Sequence, residues 1–230
     1  MNFKRIPYGR QCIDEEDIET VAKALTKDYL TTGPIIDQFE LEFAKKVGSK
    51  YAVAVSSGTA ALHLGCMALG LKNGDELITT PMTFAASANC ALYCNAKPVF
   101  VDIKENGLID ENLLESKITD NTKIIIPVHY TGLTCNLEKI QSIAKKYNLK
   151  IIEDACHALG AHYKNTIIGD CTYSDFSVFS LHPVKHITTG EGGVITTNNK
   201  ELYERIKCIR NHGIQQKDAW YHEIQELGYN

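Results

Sequence analysis

Long apolar runs are scarce in this sequence. Those at 85–94 and 124–128 are shorter than the roughly 20 residues that a membrane-spanning helix needs. The amino terminus lacks the apolar core of a signal peptide, so we expect no membrane partner and a cytoplasmic location. Basic runs never exceed two adjacent residues and the formal charge is −4, which argues against nucleic acid as a partner.

Several catalytic and metal-binding signatures are also missing. There is no GxxxxGK[ST] phosphate loop, no GxGxxG after an apolar run and no GxSxG. These absences argue against a P-loop nucleotide hydrolase, a nicotinamide oxidoreductase and a serine hydrolase. The eight cysteines include no CxxC pair and no repeated spacing, so we expect buried, reduced thiols and no metal.

What is present is an alternation of strand and helix patterns. An apolar fraction of 44% in 230 residues is enough for a large core. Amphipathic helices are predicted over 14–25 and from residue 36 to a stop at Gly48, then from 59 to about 70 and over 84–93, 137–147 and 201–210. Strands are predicted at 51–55, 77–80, 99–102, 123–128, 150–153, 174–180 and 193–197. The alternation predicts one α/β domain with a mostly parallel sheet between helical layers.

Small polar residues follow the first predicted strand. The segment Ser56–Thr59 (SSGT) lies where a strand passes into a helix. Free backbone N–H groups and the positive end of the helix dipole favour a phosphate at such a junction. A serine or threonine that merely caps the helix would give the same pattern, so both interpretations stay open.

Two further candidates follow later strands. Asp154 comes directly after an apolar strand, at the carboxyl end where α/β sheets place ligands, although it could simply cap a loop. Lys185 lies in a loop after another apolar strand, where a desolvated lysine can act as an amine nucleophile and a solvated one does nothing. Phe84 supplies an aromatic ring after a third strand. Together these groups are the parts that a pyridoxal phosphate site needs.

Motifs along the whole chain carry a resemblance to a known family. They are TTGP at 31–34 with FE at 39–40, SGTAAL at 57–62, TPMTF at 80–84, EDACH at 153–157, FSLHPVK at 179–185, EGG at 191–193 and NHG at 211–213. With them the sequence resembles the fold-type I pyridoxal phosphate enzymes, and most closely the DegT/DnrJ/EryC1/StrS nucleotide-sugar aminotransferases. HPVK at 182–185, HGI at 212–214 and ELGYN at 226–230 are similar to the 4-keto-sugar aminotransferases of the pseudaminic acid pathway.

The resemblance implies roles for individual residues. Lys185 matches the lysine that links to the cofactor and acts as base and acid, and Asp154 matches the partner of the pyridine nitrogen. The remaining implied cofactor contacts are Phe84 on the ring face, His157 near the phenolic oxygen, and Gly58, Thr59 and Ser180 at the phosphate. Asn230 matches an asparagine that reaches the phosphate of a neighbouring subunit, which implies a homodimer with a shared site. Tyr8 and Gln11 are expected to face the sugar.

The implied reaction moves an amino group from L-glutamate to C4 of a nucleotide-linked 4-keto-6-deoxy sugar. In the relatives, the GYN motif lies mid-chain. We therefore expect residues 1–230 to be the cofactor-binding large domain, incomplete at its carboxy end and without the small carboxy-terminal domain. A non-catalytic remnant or regulatory partner of a complete aminotransferase is the alternative. A sugar dehydratase on the same fold is disfavoured, because such relatives carry histidine at the position of Lys185.

Overall fold

The structure, a computed structural model, describes residues 7, 9–216 and 221–230. Its α-helices are α1 (Glu15–Leu25), α2 (Pro34–Val47), α3 (Gly58–Ala68), α4 (Ala86–Tyr93), α5 (Leu137–Lys146) and α6 (Lys200–Arg210). Its strands are β1 (Tyr51–Val55), β2 (Glu76–Thr79), β3 (Lys97–Phe100), β4 (Thr122–Ile125), β5 (Lys150–Asp154), β6 (His162–Tyr163), β7 (Thr166–Ile167), β8 (Phe176–Ser180), β9 (Gly193–Thr197), β10 (Ile214–Gln216) and β11 (His222–Ile224).

The main sheet is mostly parallel, as the sequence predicts. Its order is β1-β9-β8-β5-β4-β2-β3, and the pairs from β8 across to β3 are all parallel. Only β9 differs, because it runs antiparallel to both β1 and β8. The other six strands therefore point the same way, and their carboxyl ends share one edge of the sheet.

Helices cover both faces of this sheet. On one face α2 and α5 bury apolar side chains such as Phe43 and Ile140. On the other face α3, α4 and α6 bury Leu62, Cys90 and Ile206 in a second core. The predicted three-layer α/β/α arrangement is confirmed.

Boundaries differ from the prediction where the sequence signal is short. Helix α4 begins at Ala86, so Phe84 lies in the loop before the helix rather than within it. The two-stranded sheets β6/β7 and β10/β11 were not predicted, because segments of two or three residues are too short to show an alternating pattern. The end of α2 is as predicted, since Gly48 adopts the left-handed conformation with φ of 75°.

The apolar side of α1 has no cover within the described chain. Ile18, Val21 and Leu25 are 60%, 61% and 64% exposed, and no residue of the helix is buried. The three- and four-residue spacing thus predicts the helix correctly. It gives no information on what the apolar side packs against.

The eight cysteines are free thiols, and five of them are buried as expected, whereas Cys12 is exposed and Cys156 and Cys208 are half-buried. Among residues 7, 9–216 and 221–230, no group of three His, Cys, Asp or Glu side chains is arranged to hold a metal ion. No helix in the same ranges is long and apolar enough to cross a membrane.

A buried polar cluster fixes the centre of the sheet. His129 is fully buried, and its Nδ1 accepts the backbone N–H of Cys135 at 3.1 Å. Nε2 therefore carries a ring proton, which it donates to Glu153 Oε2 at 2.8 Å. The other carboxylate oxygen of Glu153 accepts hydrogen bonds from the hydroxyls of Ser174 and Ser177. Burial of this carboxylate depends on all three donors.

We predict that Glu153→Ala lowers the free energy of unfolding by about 3–5 kcal/mol, because the donors around the carboxylate lose their acceptor in a dry environment. Urea unfolding of the two proteins measures the difference. Glu42→Ala, which removes an exposed carboxylate, should leave the stability almost unchanged and serves as the control. Equal losses for the two variants would contradict the prediction.

Candidate active site

A cavity of about 590 Å³ opens at the carboxyl edge of the sheet. It is lined by residues that follow or end strands β1, β2, β4, β5 and β8. The predicted residues that line it are Gly58, Thr59, Phe84, Asp154, His157, Ser180 and Lys185. The parallel strands thus bring together groups that are far apart in the sequence, at the place where α/β sheets bind ligands.

The other predicted residues lie elsewhere. Asn230 lines a separate cavity of about 140 Å³ beside the start of α3, together with His63, Arg210 and Tyr229. Gln11 is exposed and is not among the residues that line the large cavity. Tyr8 lies outside the described residues. The roles of Asn230, Gln11 and Tyr8 therefore stay predictions.

Lys185 and His157 form a pair on one wall of the cavity. Lys185 Nζ lies 2.8 Å from His157 Nε2. The pKa of His157 is lowered below 6.5 by burial and, next, by the positive charge of Lys185. His157 is consequently a neutral acceptor for a proton on Lys185 Nζ, and it holds the amine in place.

The loop that carries Lys185 is tied at its base. The backbone N–H of Leu181 donates to Gly192 O at 2.8 Å, which extends the pairing of β8 with β9. Thr188 Oγ1 donates to the carbonyl of Leu181 at 2.8 Å, and Thr189 N donates to the same carbonyl at 3.1 Å. These bonds close the loop, so Lys185 is presented by a constrained segment.

Asp154 lies at the end of β5 with only 6% of its surface exposed. Its Oδ2 accepts the hydroxyl of Ser87 at 2.6 Å, and its Oδ1 accepts the backbone N–H of Cys156 at 3.2 Å. Its backbone carbonyl accepts the N–H of His129 at 3.0 Å. A carboxylate held this firmly, with oxygen lone pairs to spare, can accept a further N–H bond from a ligand.

The first turn of α3 offers backbone donors that could bind an anion. Ser57 Oγ accepts the N–H of Ala60 at 3.1 Å, so this serine is the helix cap that the sequence allowed. The N–H groups of Gly58 and Thr59 belong to the same turn, where backbone donors lack helical acceptors. Ser180 faces this turn from the end of β8. The two interpretations of the SSGT segment are thus compatible, because capping uses Ser57 and leaves the other donors for an anion.

Two glycines keep this region open. A Cβ atom at Gly58 would lie 3.0 Å from Ser180 Cβ and 3.2 Å from Cys156 Sγ, and would fill the space beside the helix end. A Cβ atom at Gly193 would lie 2.4 Å from the carbonyl carbon of Ser57. Strand β9 can therefore approach the helix start only because residue 193 has no side chain.

Phe84 stands at the mouth of the cavity in the loop before α4. Its side chain is largely exposed, at 75%. Phe84 lines the cavity, and its exposed ring is available to stack on an aromatic ligand there. The role of Phe84 at the ring face stays a prediction.

Sequence reasoning missed several polar residues of the site. Thr83, Tyr130, Cys156, His182 and Glu191 also line the cavity, and Ser87 lies behind its wall. Ser87 occurs in a segment that reads simply as apolar. The predicted helix over 84–93 also contains Asn89, so nothing in the sequence indicated that Ser87 would be buried and would need a partner.

The arrangement combines three complementary groups around one space. The cavity is lined by an amine with a neutral acceptor, by a buried carboxylate, and by a helix end whose backbone donors can bind an anion. A flat ligand that carries a phosphate, a protonated ring nitrogen and a carbonyl group would satisfy all three.

The sequence matches the model of the DegT/DnrJ/EryC1/StrS aminotransferase family over residues 11–230. The chain belongs to this family. The resemblance drawn from the motifs is thereby confirmed, and the fold agrees with that of the solved structures described next.

Individual relatives agree with this assignment. The UDP-4-amino-4,6-dideoxy-N-acetyl-beta-L-altrosamine transaminase of Campylobacter jejuni serotype O:23/36 is 46% identical, over 98% of this chain and 60% of the relative. Helicobacter pylori PseC, an aminotransferase involved in the biosynthesis of pseudoaminic acid, superposes with a TM-score of 0.93 at 38% identity, over 99% of this chain and 61% of that structure. NtdA from Bacillus subtilis with bound cofactor PMP superposes with a TM-score of 0.84 at 33% identity, over 94% of this chain and 50% of that structure. The chain spans about 60% of the length of the curated relatives it matches.

We predict that the pKa of His157 rises when Lys185 is replaced by methionine, yet stays below 6.5, because burial is the larger cause of its lowering. Imidazole NMR resonances, assigned with His157→Gln, measure the titration. Lys117→Met, at an exposed position, is the matched control and should leave the value unchanged.

The same shift links the stability of the chain to pH. The folded state holds its proton on His157 less tightly than the unfolded state, so this group lowers the stability as pH falls below about 6.5. An unchanged His157 titration in Lys185→Met would show that the 2.8 Å contact carries no charge interaction.

Proposed function

We propose that this chain is the cofactor-binding part of a pyridoxal phosphate-dependent sugar aminotransferase. It would move an amino group from L-glutamate to C4 of a nucleotide-linked 4-keto-6-deoxy sugar, for pseudaminic acid or surface polysaccharide synthesis. The observation that carries the proposal is the convergence of Lys185, Asp154 and the α3 helix end on one cavity. The names of the relatives support the substrate class.

The residues of the cavity fit this cofactor. The N–H groups of Gly58 and Thr59 would bind its phosphate, together with the hydroxyl of Ser180, and the lack of a side chain at Gly58 would leave room for the phosphate oxygens. Asp154 would accept the ring N–H, and Phe84 would cover one ring face. His157 would lie beside the phenolic oxygen. When bound, pyridoxal phosphate supplies an aldehyde that captures the amine and a ring that withdraws electrons from the adjacent carbon.

The chain's own groups would carry out the proton movements. Lys185 Nζ would take a proton from the carbon that bears the amino group of L-glutamate and deliver it to the former aldehyde carbon of the cofactor, so it would serve first as base and then as acid. His157 Nε2, at 2.8 Å, would keep this amine aimed at the cavity. Asp154 would hold the proton of the ring nitrogen, and its burial would exclude water from that bond.

The proposal extends to assembly and location. A homodimer with a shared site would give Asn230 a role, since it would reach the phosphate group held by a neighbouring subunit. Tyr8 and Gln11 would then contact the sugar. Residues 1–230 would act as the cofactor-binding large domain. The free thiols suit a reducing compartment, which supports a cytoplasmic location.

Chemical trapping tests the proposal. After incubation with pyridoxal phosphate and reduction with borohydride, we expect peptide mass spectrometry to find the label at Lys185 alone, because Lys185 is the one lysine among the described residues that lines the cavity. Lys185→Ala should lose the label and any amino transfer. Lys117→Ala, at an exposed position, should keep the label at Lys185.

The outcomes of this experiment distinguish an active aminotransferase from a non-catalytic remnant or regulatory partner. Scattered labelling, or transfer that persists in Lys185→Ala, would overturn the assignment. Labelling at Lys185 without transfer from L-glutamate to a nucleotide-linked 4-keto sugar would instead favour the non-catalytic remnant or regulatory partner. Transfer in the absence of any complete aminotransferase would exclude that alternative.

A further inference from the structure

A chain of hydroxyl groups leads from the cavity wall to Asp154. Ser87, in the first turn of α4, is fully buried, and its Oγ lies 2.6 Å from Asp154 Oδ2. Thr83 Oγ1 lies 2.7 Å from Ser87 Oγ and lines the cavity. Ser87 and Asp154 are 67 residues apart in the sequence, so the contact joins two separate elements of the fold.

The direction of these bonds follows from the number of protons. An ionised carboxylate only accepts, so Ser87 donates its single hydroxyl proton to Asp154. Ser87 can then only accept from Thr83, whose hydroxyl must donate. A distance of 2.6 Å is typical of a hydroxyl bound to a carboxylate, which is among the stronger hydrogen bonds in proteins.

The Ser87 hydroxyl also has a possible acceptor close by in the sequence. The carbonyl of Phe84, one turn earlier, lies 3.3 Å from its Oγ and is the usual acceptor for a serine in a helix. The shorter contact is nevertheless the one to Asp154. The other buried residues of α4, which are Ala86, Cys90 and Ala91, are apolar or nearly so. Ser87 is thus the polar link between this helix and the carboxylate.

This link joins the two groups proposed to hold opposite parts of the cofactor ring. Phe84 would cover the face of the ring and lies in the loop before α4, whereas Asp154 would bind the ring nitrogen and lies at the end of β5. Ser87 contacts Asp154 directly and holds Thr83, the neighbour of Phe84. The distance between the two ring contacts is therefore set through Ser87.

We propose that Ser87 is a positioning residue that orients the Asp154 carboxylate and, with Thr83, holds the Phe84 loop at the correct distance from it. The inference rests on the proposed function, because it concerns how this chain would bind pyridoxal phosphate. Ser87 itself would not contact the cofactor.

The test compares two variants of equal shape. Ser87→Thr keeps a hydroxyl and Ser87→Val replaces it with a methyl group, so their difference isolates the hydrogen bond. We expect the Kd for pyridoxal phosphate, measured from its visible absorbance, to rise about 10- to 100-fold in Ser87→Val relative to Ser87→Thr. The pH midpoint of the bound cofactor's absorbance should also differ between the two. Thr83→Val should weaken binding less than Ser87→Val.

A purely structural role gives a different result. Both variants would then lower the Tm of the ligand-free chain, with equal Kd values and equal pH midpoints, and the proposal would be overturned. If the added methyl prevents folding, Ser87→Ala is compared with the parent: a smaller rise in Tm on adding pyridoxal phosphate supports the proposal, and an equal rise overturns it. Absence of saturable binding by the parent chain would refute the proposed function itself, and the role of Ser87 would fall with it.

Discussion

The architecture of this site depends on two adjacent carboxylates that are both buried. Glu153 and Asp154 end strand β5 with 2% and 6% of their surfaces exposed. Successive side chains of a strand point to opposite faces of the sheet, so the two residues need separate sets of partners. A buried carboxylate without hydrogen-bond partners would strongly destabilise the fold, and the surrounding loops supply the donors that each carboxylate needs.

The partners of these two residues organise the cavity. Glu153 binds His129, which places the segment after β4 along the cavity wall. The backbone of the same segment pairs with β5, since Asp154 N donates to Pro127 O at 2.9 Å. Asp154 binds Ser87 and thereby fixes the start of α4. One strand end thus sets the positions of two neighbouring loops before any ligand is present.

Much of this could be read from the sequence. The alternation of apolar patterns predicts the strands and helices because each buries a continuous face. The motif resemblance then identifies Lys185, Asp154 and the α3 turn, which the fold brings together. Strands β6 and β10 could not be predicted, because they are too short to show a pattern. The exposed side of α1 shows that amphipathic spacing predicts a helix but does not specify what the helix packs against. Ser87 could not be found, because its role arises only when α4 meets β5.

The same geometry indicates where a ligand gains most of its binding energy. Lys185 already has a partner in His157, and Asp154 has partners in Ser87 and Cys156, so a ligand that binds them exchanges one hydrogen bond for another or adds to an existing set. The N–H groups at the start of α3 differ, because helix geometry denies them an acceptor. An anion placed there gains new bonds and a favourable helix dipole without displacing any partner. For the proposed cofactor, the phosphate would therefore be the main anchor, and the ring and its aldehyde would be directed to groups that the fold has already oriented.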